Sequence, residues 1–177
     1  GTPVQKETGA VEITVPFSSK EYRSDENYFR AKQVGKSPDL ATAKKIAFQN
    51  ARAEMAANIQ ATVKRVTDQY TNQRSVGNTQ EYENKFEELT REVVNMQMSN
   101  VKEIGEKIFK EPDNSYSYWI AIEAGKKAVL VINKVDKPNC RPDEVHDNVF
   151  DLFFNLGATE DQLDFATVYG SSKQGWM

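Results

Sequence analysis

The sequence predicts an α+β fold: a small antiparallel sheet packed against a two-helix layer, with a strand-helix-strand appendage at the C-terminal end. Three observations carry this. Apolar residues recur at three- and four-residue spacing over 37–70 and again from Gln80, residues 100–123 alternate around a turn, and the run from Ala128 to Ile132 is apolar throughout.

Residues 1–9 are polar with proline and glycine, and read as a flexible lead-in. Val11, Ile13 and Val15 alternate with Glu12 and Thr14, which predicts a half-buried strand ending at Pro16. A second strand is expected over 28–34, with Gly35 marking its end. Leu40, Ala43, Ala47, Ala51, Met55, Ile59, Val63, Val66 and Tyr70 then form one helical stripe. Its first half is alanine, and small side chains allow backbones to approach closely, so this face is expected directly on a sheet or a second helix. Ser37-Pro38-Asp39 supplies a serine N-cap, a proline at the first helical position and an acid in the first turn. The polar stretch 71–79, with Gly77-Asn78, is a loop. A second helix from Gln80 carries Tyr82, Phe86, Leu89, Val93 and Met96 on one face and pairs with the first as a hairpin. Ile104, Glu106, Ile108 and Lys110 then alternate up to the turn Glu111-Pro112-Asp113-Asn114-Ser115, and 116–123 returns as the second strand of a β-hairpin.

The run 128–132 has the character of a strand buried on both faces in a parallel sheet. Pro142 and Asp143 open a helix with Val145, Val149, Leu152, Phe153 and Leu156 on its apolar face, stopped by Gly157. Residues 159–164 read as a short capped turn of helix, and 165–169 as the last strand. The expected division is an α+β domain over 1–124 and a strand-helix-strand unit over 125–177.

A chain of 177 residues with net charge -3 can bury one core, or one core plus an appendage. Its mild acidity excludes sequence-independent nucleic-acid binding through a basic surface, which needs concentrated Lys and Arg to displace counterions. Cys140 and His146 are the sole residues of their types, which excludes an internal disulfide and a zinc site built from several Cys and His. The longest apolar run is too short to cross a bilayer, and no signal segment opens the chain. Gly1 in place of Met suggests a trimmed or mature form.

The strongest chemical pattern is Asn133-Lys134-Val135-Asp136, directly after the buried run, followed downstream by Tyr169-Gly170-Ser171-Ser172-Lys173. Each type has a task in a guanine site. The Asp136 carboxylate accepts from both N1 and the exocyclic N2 of guanine, a pair adenine lacks. Asn133 ties the loop and contacts the base, the Lys134 stem lies along the ring, and the Ser171-Ser172-Lys173 turn offers a backbone N–H to the guanine carbonyl. The bland reading is a charged surface loop, common by chance for four residues of this kind.

The surrounding residues favour the specific reading. The segment 125–146, with Asn133-Lys134-Val135-Asp136-Lys137-Pro138-Asn139-Cys140-Arg141-Pro142-Asp143-Glu144-Val145-His146, resembles the BipA/TypA family of translational GTPases. The likeness continues through Phe150-Asp151-Leu152, Leu156-Gly157-Ala158-Thr159 and Gln162-Leu163-Asp164-Phe165 to Gly175-Trp176-Met177. Ala128 and Ala166 depart from it, where the family tends to have proline. The resemblance implies a guanine-nucleotide site at Asn133, Lys134, Asp136, Ser171, Ser172 and Lys173, with GTP or GDP as the alternative to no cofactor. Upstream, Val34-Gly35-Lys36-Ser37 looks like the tail of a phosphate loop, but the earlier glycine position is Arg30 and Pro38 follows the serine. No Asp-x-x-Gly element precedes Asn133. Phosphate and magnesium contacts carry phosphoryl-transfer catalysis, so the expectation is a non-enzymatic chain with no catalytic residue, no metal and no cofactor.

The first two-thirds, with Ala47-Phe48-Gln49-Asn50-Ala51-Arg52-Ala53-Glu54-Met55-Ala56 and Tyr118-Trp119-Ile120-Ala121-Ile122-Glu123, resembles the bacterial lipoprotein-20 family. That resemblance implies an envelope interaction domain, periplasmic or anchored to the outer membrane through an acylated cysteine upstream of Gly1. It implies a protein or envelope partner, a possible homo-oligomer, and membrane contact only through that anchor; the alternative location is the cytoplasm. Natural fusion, gene-model error and deliberate joining all produce a chain of two such pieces. Three weaker candidates are a Cys140–His146 pair with no third orienting group, an acidic set at Asp143, Glu144, Asp147 and Asp151 better suited to a helix N-terminus and a solvated face, and a stacking platform at Tyr116, Tyr118 and Trp119.

Overall fold

The computed structural model describes residues 9, 11–74, 80–133 and 135–171. The lead-in over 1–9 lies almost wholly outside these residues, as do 75–79 of the expected interhelical loop. After a 3-10 turn at Lys20–Tyr22 come β1 (Tyr28–Ser37), α1 (Leu40–Arg74), α2 (Gln80–Met98), β2 (Lys102–Lys110) and β3 (Tyr116–Gly125). The three strands form an antiparallel sheet in the order β1-β3-β2.

The alanine stripe explains how α1 sits. Ala43, Ala47 and Ala51 are completely buried against β1 and β3, continued by Met55 and Ile59, and meet Tyr118, Ile120, Ile122 and Ala124 of β3. Contact is closest at Gly35, where a Cβ would stand 2.2 Å from the Ala43 carbonyl oxygen. Gly35 therefore lies inside β1 instead of ending it, opposite Tyr118. Ser37 is also still in the strand, paired with Tyr116, so the expected serine cap is replaced by Asp39. The Asp39 carboxylate accepts from the Thr42 amide (2.8 Å) and hydroxyl (2.7 Å), satisfying a first-turn donor of α1. On α2, Thr90, Val93 and Gln97 are buried, while Phe86, Leu89 and Met96 are half-buried.

The expected strand over 11–15 does not form. Val11 and Ile13 are 85% and 82% exposed, and among the described residues 11–15 pair with no strand. Phe17, at φ 60, instead turns the chain over the sheet face opposite α1. Its ring rests on Gly105, its carbonyl accepts from Lys32 Nζ (2.8 Å), and the Lys107 ammonium stands 5.7 Å from the ring centre.

The rest of the chain is β4 (Val129–Asn133), α3 (Pro142–Asn155), α4 (Glu160–Leu163) and β5 (Ala166–Gly170), with β4 and β5 parallel in a separate two-stranded sheet. The expectation of a run buried on both faces is corrected: Val131 is 49% exposed, because β4 has β5 as its neighbour on one edge and α3 on one face. No residue of α3 is fully buried, and Leu152 and Leu156 are exposed; Phe153 meets Phe165 edge-on at 5.4 Å. Gly157, at φ 77, ends the helix as read from sequence, and the Thr159 amide donates to Gln162 Oε1 (3.0 Å) to cap α4. The two sheets are tied through buried Gln97, whose amide donates to the Lys127 carbonyl (2.8 Å) and accepts from the Lys127 amide (3.0 Å).

Candidate guanine-recognition site

β4 and β5 end level with each other, Asn133 opposite Gly170. Loops that leave the carboxyl ends of adjacent parallel strands emerge side by side, which is where open α/β sheets hold ligands. The Val135 amide donates to the Gly170 carbonyl (3.3 Å) and so binds the first loop to the end of β5. The Cys140 thiol donates to the Val135 carbonyl (2.9 Å), and the Cys140 amide to the Lys137 carbonyl (3.0 Å), closing a turn beneath the loop. Ser171 is completely buried, and Asp136 is half-buried with Oδ1 shielded from solvent. Asn133, Asp136 and Ser171 thus share one end of one sheet. The Asn133 side chain and all of Lys134, Ser172 and Lys173 lie outside the described residues.

Such an edge can present a carboxylate beside backbone N–H groups, the complement of a planar ring carrying adjacent donors and a carbonyl. Two supporting contacts were not anticipated from sequence: the Val135 amide and the Cys140 thiol. The turn signal Lys137-Pro138-Asn139 points to the second, because it folds Cys140 back under the loop.

The other candidates separate. Gly35, Lys36 and Ser37 are strand residues facing Tyr118, Ser117 and Tyr116, and Lys36 pairs with Asp113 at 3.2 Å. Arg30 is tied down by Asp25 and Glu123, each at 2.6 Å. Cys140 and His146 have different partners, for His146 lies against Phe165 (5.5 Å between ring centres) with Asp147 Oδ1 3.4 Å from its Nδ1. Asp143 and Glu144 occupy the first turn of α3, where Glu144 pairs with Arg141 at 2.8 Å; Asp147 and Asp151 are exposed. Among the described residues no group of three His, Cys, Asp or Glu gathers in metal-binding geometry. Tyr116, Tyr118 and Trp119 do not form a platform. Tyr118 is in the core, its hydroxyl donates to Glu106, and burial pushes its pKa up; Trp119 faces the other side of the sheet.

A local segment of this chain matches BipA. The "large ribosomal subunit assembly factor BipA" of Haemophilus influenzae is 56% identical over 64 residues, 36% of this chain and 10% of that protein. The Escherichia coli K12 protein of the same name is 58% identical over 55 residues, 31% of this chain and 9% of its own length. That of Buchnera aphidicola is 51% identical over 64 residues. The chain therefore spans about a tenth of the length of these curated relatives. The expectation of a non-enzymatic chain is corrected by these matches, because the homologous segment belongs to BipA, a GTPase. No family model matches the chain. The lipoprotein-20 resemblance over residues 10–124 consequently rests on its sequence pattern alone, and an envelope role or anchor finds no support in these matches. No described helix is long and apolar enough to cross a membrane.

Proposed function

We propose that residues 125–177 are the guanine-recognition unit of a BipA-type translational GTPase, with GTP or GDP as ligand, and that residues 1–124 are a separate domain joined to it. Asp136 is the specificity residue, Asn133 and Lys134 hold the base, and the Ser171-Ser172-Lys173 loop supplies the N–H to the guanine carbonyl. The observation that carries this reading is the register of Asn133 against Gly170, which makes neighbours of two loops far apart in sequence. The local identity of 51–58% to BipA over a stretch of similar length supports it further. The context implied is that named for BipA, assembly of the large ribosomal subunit, and hence the cytoplasm.

Calorimetry and chemical-shift mapping with GDP, GTP, ADP and XDP test the reading. A base edge reached by solvent exchanges each hydrogen bond for about 0.5–1.5 kcal/mol, so a few such bonds give binding of millimolar order. The expected pattern is guanine preference over adenine. Asp136→Asn, which replaces an acceptor by a donor, should shift preference toward xanthine, whose 2-oxo group accepts. Equal binding of GDP and ADP, or guanine preference retained in Asp136→Ala, defeats the proposal.

A further inference from the structure

A cleft of 320 Å³ lies between the helical hairpin and β4. One wall is Ile59 and Val63 of α1 with Leu89 and Val93 of α2; the other is Val129 and Val131 of β4. The two hydrogen bonds from Gln97 to the Lys127 backbone pin the entry of β4 to α2, and so fix the distance between the walls. Across that distance β4 presents only valines, short and stiff at χ1, which cannot extend to fill the space.

Charge at the cleft is unequal. Lys127 is neutralised by Asp164 at 2.7 Å. Lys126 has no such partner among the described residues; its ammonium rests 4.8 Å from the ring centre of Phe29, itself a buried wall residue. Gln97, the buried polar side chain on the lining, is already engaged by backbone. An apolar slot whose rim carries a cation, Lys126, with no carboxylate partner among the described residues is the complement of a single hydrocarbon chain ending in one carboxylate. Its size falls at the low end of the roughly 300–1,000 Å³ range of small-molecule sites, which suits one chain and excludes a two-chain lipid. A neutral chain would leave Lys126 unused, and a nucleotide would find almost no polar partners. We infer that this cleft binds a medium-chain fatty acid, with the chain between the hairpin and β4 and the carboxylate on Lys126.

Titration calorimetry of the full 177-residue chain with decanoate, octanoate and decanol, each below its aggregation concentration, tests this. Decanoate should bind saturably at one site. Loss of two methylenes in octanoate should weaken binding roughly tenfold or more, at about fourfold per methylene. Decanol should bind about three- to tenfold more weakly than decanoate, the range of an accessible charge-assisted contact. Lys126→Gln should erase that difference. Val131→Trp should fill the slot and abolish binding; Val66→Trp does so from the opposite rim, at a residue 58% exposed and therefore tolerant of substitution. The inference is overturned if decanoate shows no saturable binding, if decanol binds equally well, or if Lys126→Gln keeps the preference. It also fails if both tryptophan variants fold and still bind, or if the chain dimerises through this face in place of binding decanoate.

Discussion

Gly35→Ala probes the contact on which the larger sheet is organised. A Cβ at this position would lie 2.2 Å from the Ala43 carbonyl oxygen, 2.4 Å from the Ala47 amide nitrogen and 2.9 Å from Ile46 Cβ. Two of these atoms are helix backbone, so no rotamer change relieves the clash. Bringing the shortest contact to the 3.4 Å of ordinary packing requires α1 to lift by about 1.2 Å. That motion loosens Ala43, Ala47 and Ala51, whose single methyl groups cannot follow. Overpacking of a close-packed core costs about 1–3 kcal/mol, and the backbone character of the obstacle sets this case at the upper end. With a urea slope of about 1–3 kcal/mol/M, a loss of roughly 3 kcal/mol lowers the unfolding midpoint by about 1–3 M. Gly125→Ala is the control, since its Cβ would meet only Tyr28 Cε1 at 3.9 Å, and it should stay within about 0.5 kcal/mol of the parent. Urea unfolding followed by circular dichroism reads both. Equal midpoints for the two variants would refute the close-crossing argument.

Gln97→Leu removes both partners of the Lys127 backbone, at 2.8 and 3.0 Å, and should cost about 1–3 kcal/mol; amide exchange at Lys127 should quicken while that of β3 stays slow. Asp113 accepts from the Ser115 hydroxyl and amide and pairs with Lys36, which together hold its pKa down at about 2 against an ordinary 3.8. The folded state therefore favours the charged form, and this contribution is full above about 3.8 and lost as pH falls through about 2. Carboxyl NMR titration should find that low midpoint, and Ser115→Ala should raise it toward 3.8; an unmoved midpoint would contradict the assigned cause.

Helical periodicity in this chain was legible where burial is one-sided. The stripe from Ala43 through Ile59 reports contact with a single neighbouring layer, whereas the hairpin around Glu111–Ser115 was legible from its turn residues, since β3 is buried on both faces; both elements form. Alternation at Val11, Ile13 and Val15 failed because period two states only that a strand is possible; it supplies no edge to pair with, and Phe17 leads the chain elsewhere. Ser37 and Gly35 depart from the local signal for a related reason. Local chemistry favours a cap and a strand end there, but pairing of β1 with β3 continues past both. The adjacency of Asn133 and Gly170 was readable because a strand-helix-strand unit of this length joins neighbouring parallel strands. What sequence could not supply was the hold on the loop, since the Val135 and Cys140 contacts depend on how tightly the turn over 137–140 closes.

The two sheets differ in how far they cover their own apolar surface, and the difference bears on how base selectivity and affinity divide. The three-stranded sheet has α1 on one face and the Phe17 segment on the other, so that Ile120 and Ala121, adjacent and pointing opposite ways, are both buried. In the β4–β5 unit Val131, Leu152, Phe154 and Leu156 stay exposed. A run such as 128–132 has the composition of an inner strand of a wider parallel sheet, which agrees with a match that spans only about a tenth of BipA. Yet β4 and β5 keep their level ends through their mutual pairing and the bond from the Val135 amide to the Gly170 carbonyl. On the proposed reading, discrimination between guanine and adenine is a property of those two strands and the loops they carry. Absolute affinity for a triphosphate depends instead on phosphate and magnesium contacts, which in this reaction class come from other elements. The ratio of GDP to ADP binding is therefore the quantity this segment controls. Asp136→Ala should collapse that ratio to near one even if the affinity of the unsubstituted chain is weak.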